Sequence, residues 1–194
     1  MTAIRMALIA LLGSLLYGCA TPVLLAGATG SGAMAAHDRR TAGSQIDDQA
    51  IEMKAFARMT RDAELAEPEN AHINTVSFNG VLLLSGETRT AELRRRAEEY
   101  VSDIPGVRKV HNEIEVRELA RIGARTRDSW ITTKVKTKLL ANEAVDGTRI
   151  KVFTESGTVY LMGIVTRGES NLATSIASDT NGVKRIVRAF EYLD

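Results

Sequence analysis

The strongest constraint on this chain is that it repeats itself. Ile73-Asn74-Thr75-Val76-Ser77-Phe78, a turn at Asn79-Gly80 and Val81-Leu82-Leu83-Leu84-Ser85-Gly86 form the first copy. They return 77 residues later as Ile150-Lys151-Val152-Phe153-Thr154-Glu155, Ser156-Gly157 and Thr158-Val159-Tyr160-Leu161-Met162-Gly163. A repeat of this length is one supersecondary unit used twice. Asn-Gly between two apolar runs is a strong hairpin signal, because both residues tolerate positive φ. A polar helical stretch follows each hairpin, at 90–103 and 167–179, and then a turn with a closing strand. Those strands read Pro105-Gly106-Val107-Arg108-Lys109-Val110 and Asn181-Gly182-Val183-Lys184-Arg185-Ile186. Helical patterns at 48–61 and 128–141 precede the hairpins, so each half reads α-β-β-α-β. Within a half, the second and third strands flank a helix and should run parallel. The expected fold class is α/β, of the α+β kind. It comprises two tandem domains, each a three-stranded mixed sheet with one face to bury and two helices to cover it. Gly86 and Gly163 are expected to end their strands at matching places, at a backbone bend or a close helix approach.

Ahead of the repeats lies a different kind of signal. One positive side chain, Arg5, precedes the apolar run Ile9-Ala10-Leu11-Leu12-Gly13-Ser14-Leu15-Leu16-Tyr17, which ends at Gly18-Cys19. The run is too short to span a bilayer as a helix, and residues 1–18 read as a secretory signal peptide. Leu16, Gly18 and Cys19 resemble the lipobox of bacterial lipoproteins, in which the cysteine becomes an acylated N-terminus. The plainer alternative is an ordinary signal peptide with an incidental cysteine. Cys19 is the only cysteine, so an exported chain has no second thiol for a disulfide.

The expected layout is therefore a signal peptide (1–18), Cys19 with a small-residue tether to residue 46, a first domain (47–116), a linker (117–126) and a second domain (127–194). The tether, rich in Gly and Ala, would reach roughly 30 Å as a flexible coil. After cleavage the charge is balanced, which argues against a nucleic-acid binder. Its distribution is uneven. Residues 47–116 hold nine Lys/Arg against fourteen Asp/Glu, while 126–194 hold ten against eight.

The tandem α-β-β-α-β units, the hairpins followed by Gly86 or Gly163 and the Gly-Val-Lys-Arg-Ile closing strand resemble the BON-domain family. The stretches Asp128–Ala141, Lys151–Thr166 and Gly182–Phe190 carry most of the likeness. Two such domains behind a lipobox resemble the dual-BON lipoproteins of Gram-negative outer membranes. For this chain the resemblance implies an S-diacylglycerol and an N-acyl group on Cys19. Ala20 and Thr21 lack the aspartate that commonly retains such proteins at the inner membrane. The implied location is the outer membrane, facing the periplasm.

No catalytic constellation is legible. His37, His72 and His111 fall in the tether, at the start of a strand and inside a strand, with no metal spacing among them. Gly27–Gly32 follows no strand and precedes no Gly-Lys-Ser/Thr, so it is not a phosphate loop. The acidic pairs Asp47/Asp48 and Glu98/Glu99 read as solvated helix faces. The chain is expected to be non-enzymatic and to need no metal or other cofactor.

The informative surface is the helix 128–141, with Asp128 or Ser129 as an expected N-cap. Ile131, Val135 and Leu139 form the stripe to be buried. At about 100° per residue, Trp130 lies roughly 140° from that stripe, on the side of Thr133, Thr137 and Leu140. Lys134 and Lys136 flank it. Two readings stand side by side. The indole enters a lipid headgroup layer while lysines reach anionic phosphates, or Trp130 packs on the first domain and the lysines pair with its excess acid. The family resemblance implies the former, with Trp130, Lys134, Lys136, Lys138 and Leu140 as phospholipid contacts supporting envelope integrity. Each buried acyl CH₂ contributes about 0.8 kcal/mol, so three chains already hold such a protein. Lysines near an anionic surface add only about 1 kcal/mol each, which suits lipid selection rather than attachment. A rival expectation is a periplasmic protein adaptor, with the Glu92, Glu98 and Glu99 surface beside Arg94-Arg95-Arg96 as the place to look for its partner.

Overall fold

The computed structural model describes residues 38–119 and 122–194. The first repeat runs α1 (Ala42–Met59), β1 (Ala71–Phe78), β2 (Val81–Thr88), α2 (Ala91–Ser102) and β3 (Lys109–Val116). The second runs α3 (Ile122–Leu140), β4 (Lys151–Glu155), β5 (Thr158–Val165), α4 (Arg167–Ser178) and β6 (Arg185–Tyr192), with a 3₁₀ turn at Gly147–Arg149. In each sheet the middle strand pairs antiparallel with its hairpin partner and parallel with the closing strand. The hairpin turns hold Asn79-Gly80 at φ 51° and 75° and Ser156-Gly157 at φ 52° and 81°. Thr41, Thr90 and Thr166 cap α1, α2 and α4 through their side-chain oxygens, each relieving a donor left open in the first turn.

Each domain has its own core on the helix side of its sheet. Ile51, Ala55, Leu82, Leu84, Ala97 and Ile114 anchor the first, and Ile131, Val135, Leu139, Leu161, Ala173 and Ala177 the second. The expectation that each sheet buries one face is corrected by a third cluster. Val76, Phe78, Val81 and Leu83 on the far face of the first sheet meet Tyr160, Met162 and Ala189 of the second. Both faces are therefore dry, and every residue of β2 is buried. That explains why the β2 apolar run is continuous rather than alternating.

Polar pairs ring this interface. Lys151 Nζ lies 3.0 Å from Glu52, and Arg185 lies 3.2 Å from Glu113 and 3.6 Å from Glu115. Arg108 pairs with Glu191 in the opposite sense. Excess acid in the first domain thus meets basic side chains of the second. Buried Glu87, 1% exposed, accepts from Arg117 Nη2 and Ser156 Oγ.

Several boundaries differ from expectation. α1 begins at Ala42 rather than 48, and α3 at Ile122 rather than 128. The end of the expected tether is part of the fold. Arg39 donates to the Ile164 carbonyl at 2.8 Å and to both Glu169 carboxylate oxygens, while Arg40 reaches Asp48 at 2.8 Å and lies over the Phe78 ring. Nor do Gly86 and Gly163 end their strands, since each sits two residues inside one. Cys19 and His37 lie outside the described residues.

A pH-sensitive contact joins α1's following loop to α2. The Asp62 carboxyl is held down to about 2, first by the Leu65 backbone N–H and then, against some burial, by Arg96, Tyr100 and the Glu64 N–H. Because the folded value is below the ordinary one of 3.8, its contribution is present above that value and disappears as pH falls toward 2. Urea titrations from pH 5 to 2 should show an acid loss of stability that is smaller in Asp62→Asn. An unchanged acid slope in that variant would remove Asp62 from the account.

Candidate functional site

The side of α3 facing the core is settled by packing: Ile131, Val135 and Leu139 are buried. The opposite side carries Trp130, 65% exposed, and Leu140, 56% exposed, together with exposed Thr133 and Thr137. Trp130 is not covered by the first domain. The lysines divide between two settings. Lys134 donates to the Asn181 carbonyl at 2.6 Å and Lys138 to the Asp179 carbonyl at 2.7 Å, both within the second domain. Each bond uses one of an ammonium's three donors. Lys136 instead lines a cleft of about 540 Å³ between α3 and β1, with Ser129, Thr133, His72 and Asn74 on its walls. None of the three pairs with the acid of the first domain.

The cleft is polar but already cross-linked. Thr132 bonds Thr154 at 2.7 Å, and Asn74 donates to Glu155 at 2.8 Å. Among the described residues, no group of three or more His, Cys, Asp or Glu side chains is placed to hold a metal ion. His111 lies in β3, where burial, assisted by Lys109, holds its imidazole below the usual range.

Asp48 and Asp128, 80 positions apart, turn out to be twins. Asp48 was expected on a solvated face, but it is only 3% exposed. It accepts from the Asn79 N–H at 2.7 Å, the Gly80 N–H at 2.9 Å and Ser77 Oγ at 2.7 Å. Burial pushes its pKa up, yet those bonds and Arg40 outweigh it and hold the value below the ordinary range. Asp128 is not an N-cap, because α3 starts six residues earlier. It accepts from the Ser156 and Gly157 N–H groups, both at 2.8 Å. Each carboxylate clamps a hairpin turn from the adjoining helix. Sequence spacing does not announce the pair, since Asp48 lies 32 positions before Gly80 and Asp128 lies 29 before Gly157.

The α2 surface named for the rival reading neutralises itself. Arg95 pairs with Glu92 and Glu99, Arg96 with Asp62 and Glu64, and Glu98 accepts from Asn112.

The BON domain family model matches residues 47–118 and again 127–194. An outer membrane lipoprotein DolP of Haemophilus influenzae is 37% identical over 186 residues, covering 95% of this chain and 94% of that one. A 21 kDa hemolysin of Actinobacillus pleuropneumoniae is 36% identical, with 80% and 79% covered. Osmotically-inducible protein Y of Escherichia coli is 29% identical, with 74% and 72% covered. With both repeats matched and the α-β-β-α-β order in each, the chain belongs to the BON-domain family.

Proposed function

We propose that this chain is a non-enzymatic lipoprotein of the outer membrane, held by acyl groups on Cys19 and facing the periplasm, whose second domain selects anionic phospholipid and thereby supports envelope integrity. The observation that carries the reading is the outward Trp130. A tryptophan left uncovered on α3, in a protein whose two sheets pack against each other, suits a headgroup layer, where an apolar ring meets a wet boundary. Leu140 extends the apolar surface along α3, and Lys134, Lys136 and Lys138 supply positive charge around it. The relative named an outer membrane lipoprotein supports the location. Among the described residues no helix is long and apolar enough to cross a membrane.

The test is vesicle binding by the mature chain carrying Cys19→Ala, so that the acyl anchor does not mask a weak contact. Trp130→Glu replaces an interfacial ring by a charge repelled from the surface and should weaken binding to phosphatidylglycerol vesicles at least about tenfold. Added salt should weaken the parent, because the lysines act through screened charge. Equal binding by parent and variant would discard this site. One stoichiometric protein cross-link with no lipid binding would favour the adaptor instead.

A further inference from the structure

The two hairpin turns occupy the same place in their domains, yet their electrostatic settings are opposite. At the first turn Arg108 is spent: its Nε donates to the Asn79 carbonyl at 2.8 Å, and its guanidinium pairs with Glu191. The α1 position just before the clamp carboxylate is acidic, Asp47. At the second turn Lys184 stands where Arg108 does, and Arg127 stands where Asp47 does. The Lys184 stem lies across Gly157, where a Cβ would meet Lys184 Cδ at 3.0 Å. Among the described residues, neither Arg127 nor Lys184 has a carboxylate within ion-pairing distance.

Arg117 completes the set from the end of the first domain. It is fixed by Glu87 at 2.6 Å and Glu115 at 3.1 Å, and it donates to Ser156 Oγ at 2.6 Å. Three cations from separate segments thus line one pocket of about 130 Å³ over the β4–β5 turn. At about 30 Å³ per liquid water, this is room for a phosphate group or a handful of waters. The one acid in its wall, Asp128, is turned inward onto two backbone N–H groups. Arg117 is neutralised by its own carboxylates, so the pocket keeps the charge of Arg127 and Lys184 without a counter-ion. Like charges held together in this way attract an anion.

We propose that this pocket is a phosphate site, in which Arg127 and Lys184 bind the oxyanion beside the braced Arg117 guanidinium. Arg127 lies one turn ahead of Trp130 on α3, so the two side chains are neighbours on the helix surface. That places the site beside the proposed membrane-facing residues. The inference rests on the membrane reading for the source of the phosphate, a lipid headgroup, but not for the site itself.

The experiment uses the mature chain carrying Cys19→Ala, with two phosphate sources: inorganic phosphate followed by amide NMR, and phosphatidylglycerol vesicles followed by sedimentation. Inorganic phosphate should shift the Ser156, Gly157 and Lys184 amides more than chloride at equal ionic strength, and the double variant Arg127→Gln/Lys184→Gln should lose that excess. The same variant should bind phosphatidylglycerol vesicles at least about tenfold more weakly. Lys54→Gln/Arg61→Gln, which removes two charges from the first domain, should bind within about twofold of the parent. Dependence on Arg127 and Lys184 with vesicles identifies a headgroup phosphate, and with inorganic phosphate alone a free one. Parent protein that ignores vesicles yet shows the phosphate shifts would overturn the membrane reading and keep the site. If neither source distinguishes the Arg127/Lys184 variant from the control variant, the phosphate site is overturned.

Discussion

Gly86→Ala is expected to cost the first domain at least about 4 kcal/mol, a large part of the total stability of a small domain. Gly86 sits inside β2, the central strand of its sheet, opposite Ile73, at φ +114°. Two penalties add there. The backbone lies in a region L-residues rarely adopt, which costs on the order of 1–3 kcal/mol. A Cβ would also stand 2.0 Å from the His72 carbonyl oxygen and 3.1 Å from its carbon. Those atoms are backbone in the paired strand, so relief requires breaking the β1–β2 ladder rather than rotating a side chain. Gly163, the repeat-related glycine, separates the two effects. It has no positive φ, and its Cβ would meet the Arg149 carbonyl oxygen at 2.7 Å, just beyond the last β4–β5 pair. Gly163→Ala should therefore be clearly milder, on the order of 2 kcal/mol. Urea unfolding of the full chain measures both, and a Gly163→Ala loss equal to that of Gly86→Ala would refute the backbone-strain argument.

Asp48→Ala should be the most damaging side-chain truncation of a charged residue, at about 3–5 kcal/mol. It removes the acceptor for two turn N–H groups and for the buried Ser77 hydroxyl. It also takes the Asp48 carboxylate away from the Arg40 guanidinium, which lies over the Phe78 ring. Donors stranded in a buried place lose water without gaining a partner. Asp48→Asn keeps the shape and one acceptor, so it should fall between parent and alanine. Asp128→Ala should cost less than Asp48→Ala, because among the described residues Asp128 holds its turn through two N–H groups, with no arginine and no buried hydroxyl on it. Since the folded pKa of Asp48 is depressed, its contribution is present above the ordinary carboxylate value of 3.8 and is lost as pH falls below it. Thermal melts of the three variants at pH 7 and pH 3 test both statements. Asp48→Ala matching the parent at pH 7 would dismiss the clamp.

Much of the fold was legible because it depends on local chemistry. Asn79-Gly80 and Ser156-Gly157 announce tight turns through their tolerance of positive φ, and the helix between paired strands dictates parallel closure. The outward place of Trp130 also follows from helical period, with Ile131, Val135 and Leu139 as the inner stripe. The misread residues share a cause. Asp48 looks like an ordinary surface acid in sequence, because its partner lies 31 positions away at Asn79. Arg39 and Arg40 looked like part of a tether for the same reason, with Arg39 reaching 130 positions to Glu169.

By itself, then, the sequence determined what short-range sterics and periodicity control: two copies of α-β-β-α-β, where each turns, and which side of α3 faces outward. Tertiary structure alone decided that the two sheets meet back to back, that Asp48 and Asp128 turn inward as clamps, and that Arg117, Arg127 and Lys184 converge on one pocket. Those outcomes depend on which distant surfaces exclude water together. Burial and charge pairing act through space, and residue spacing along the chain does not encode that distance.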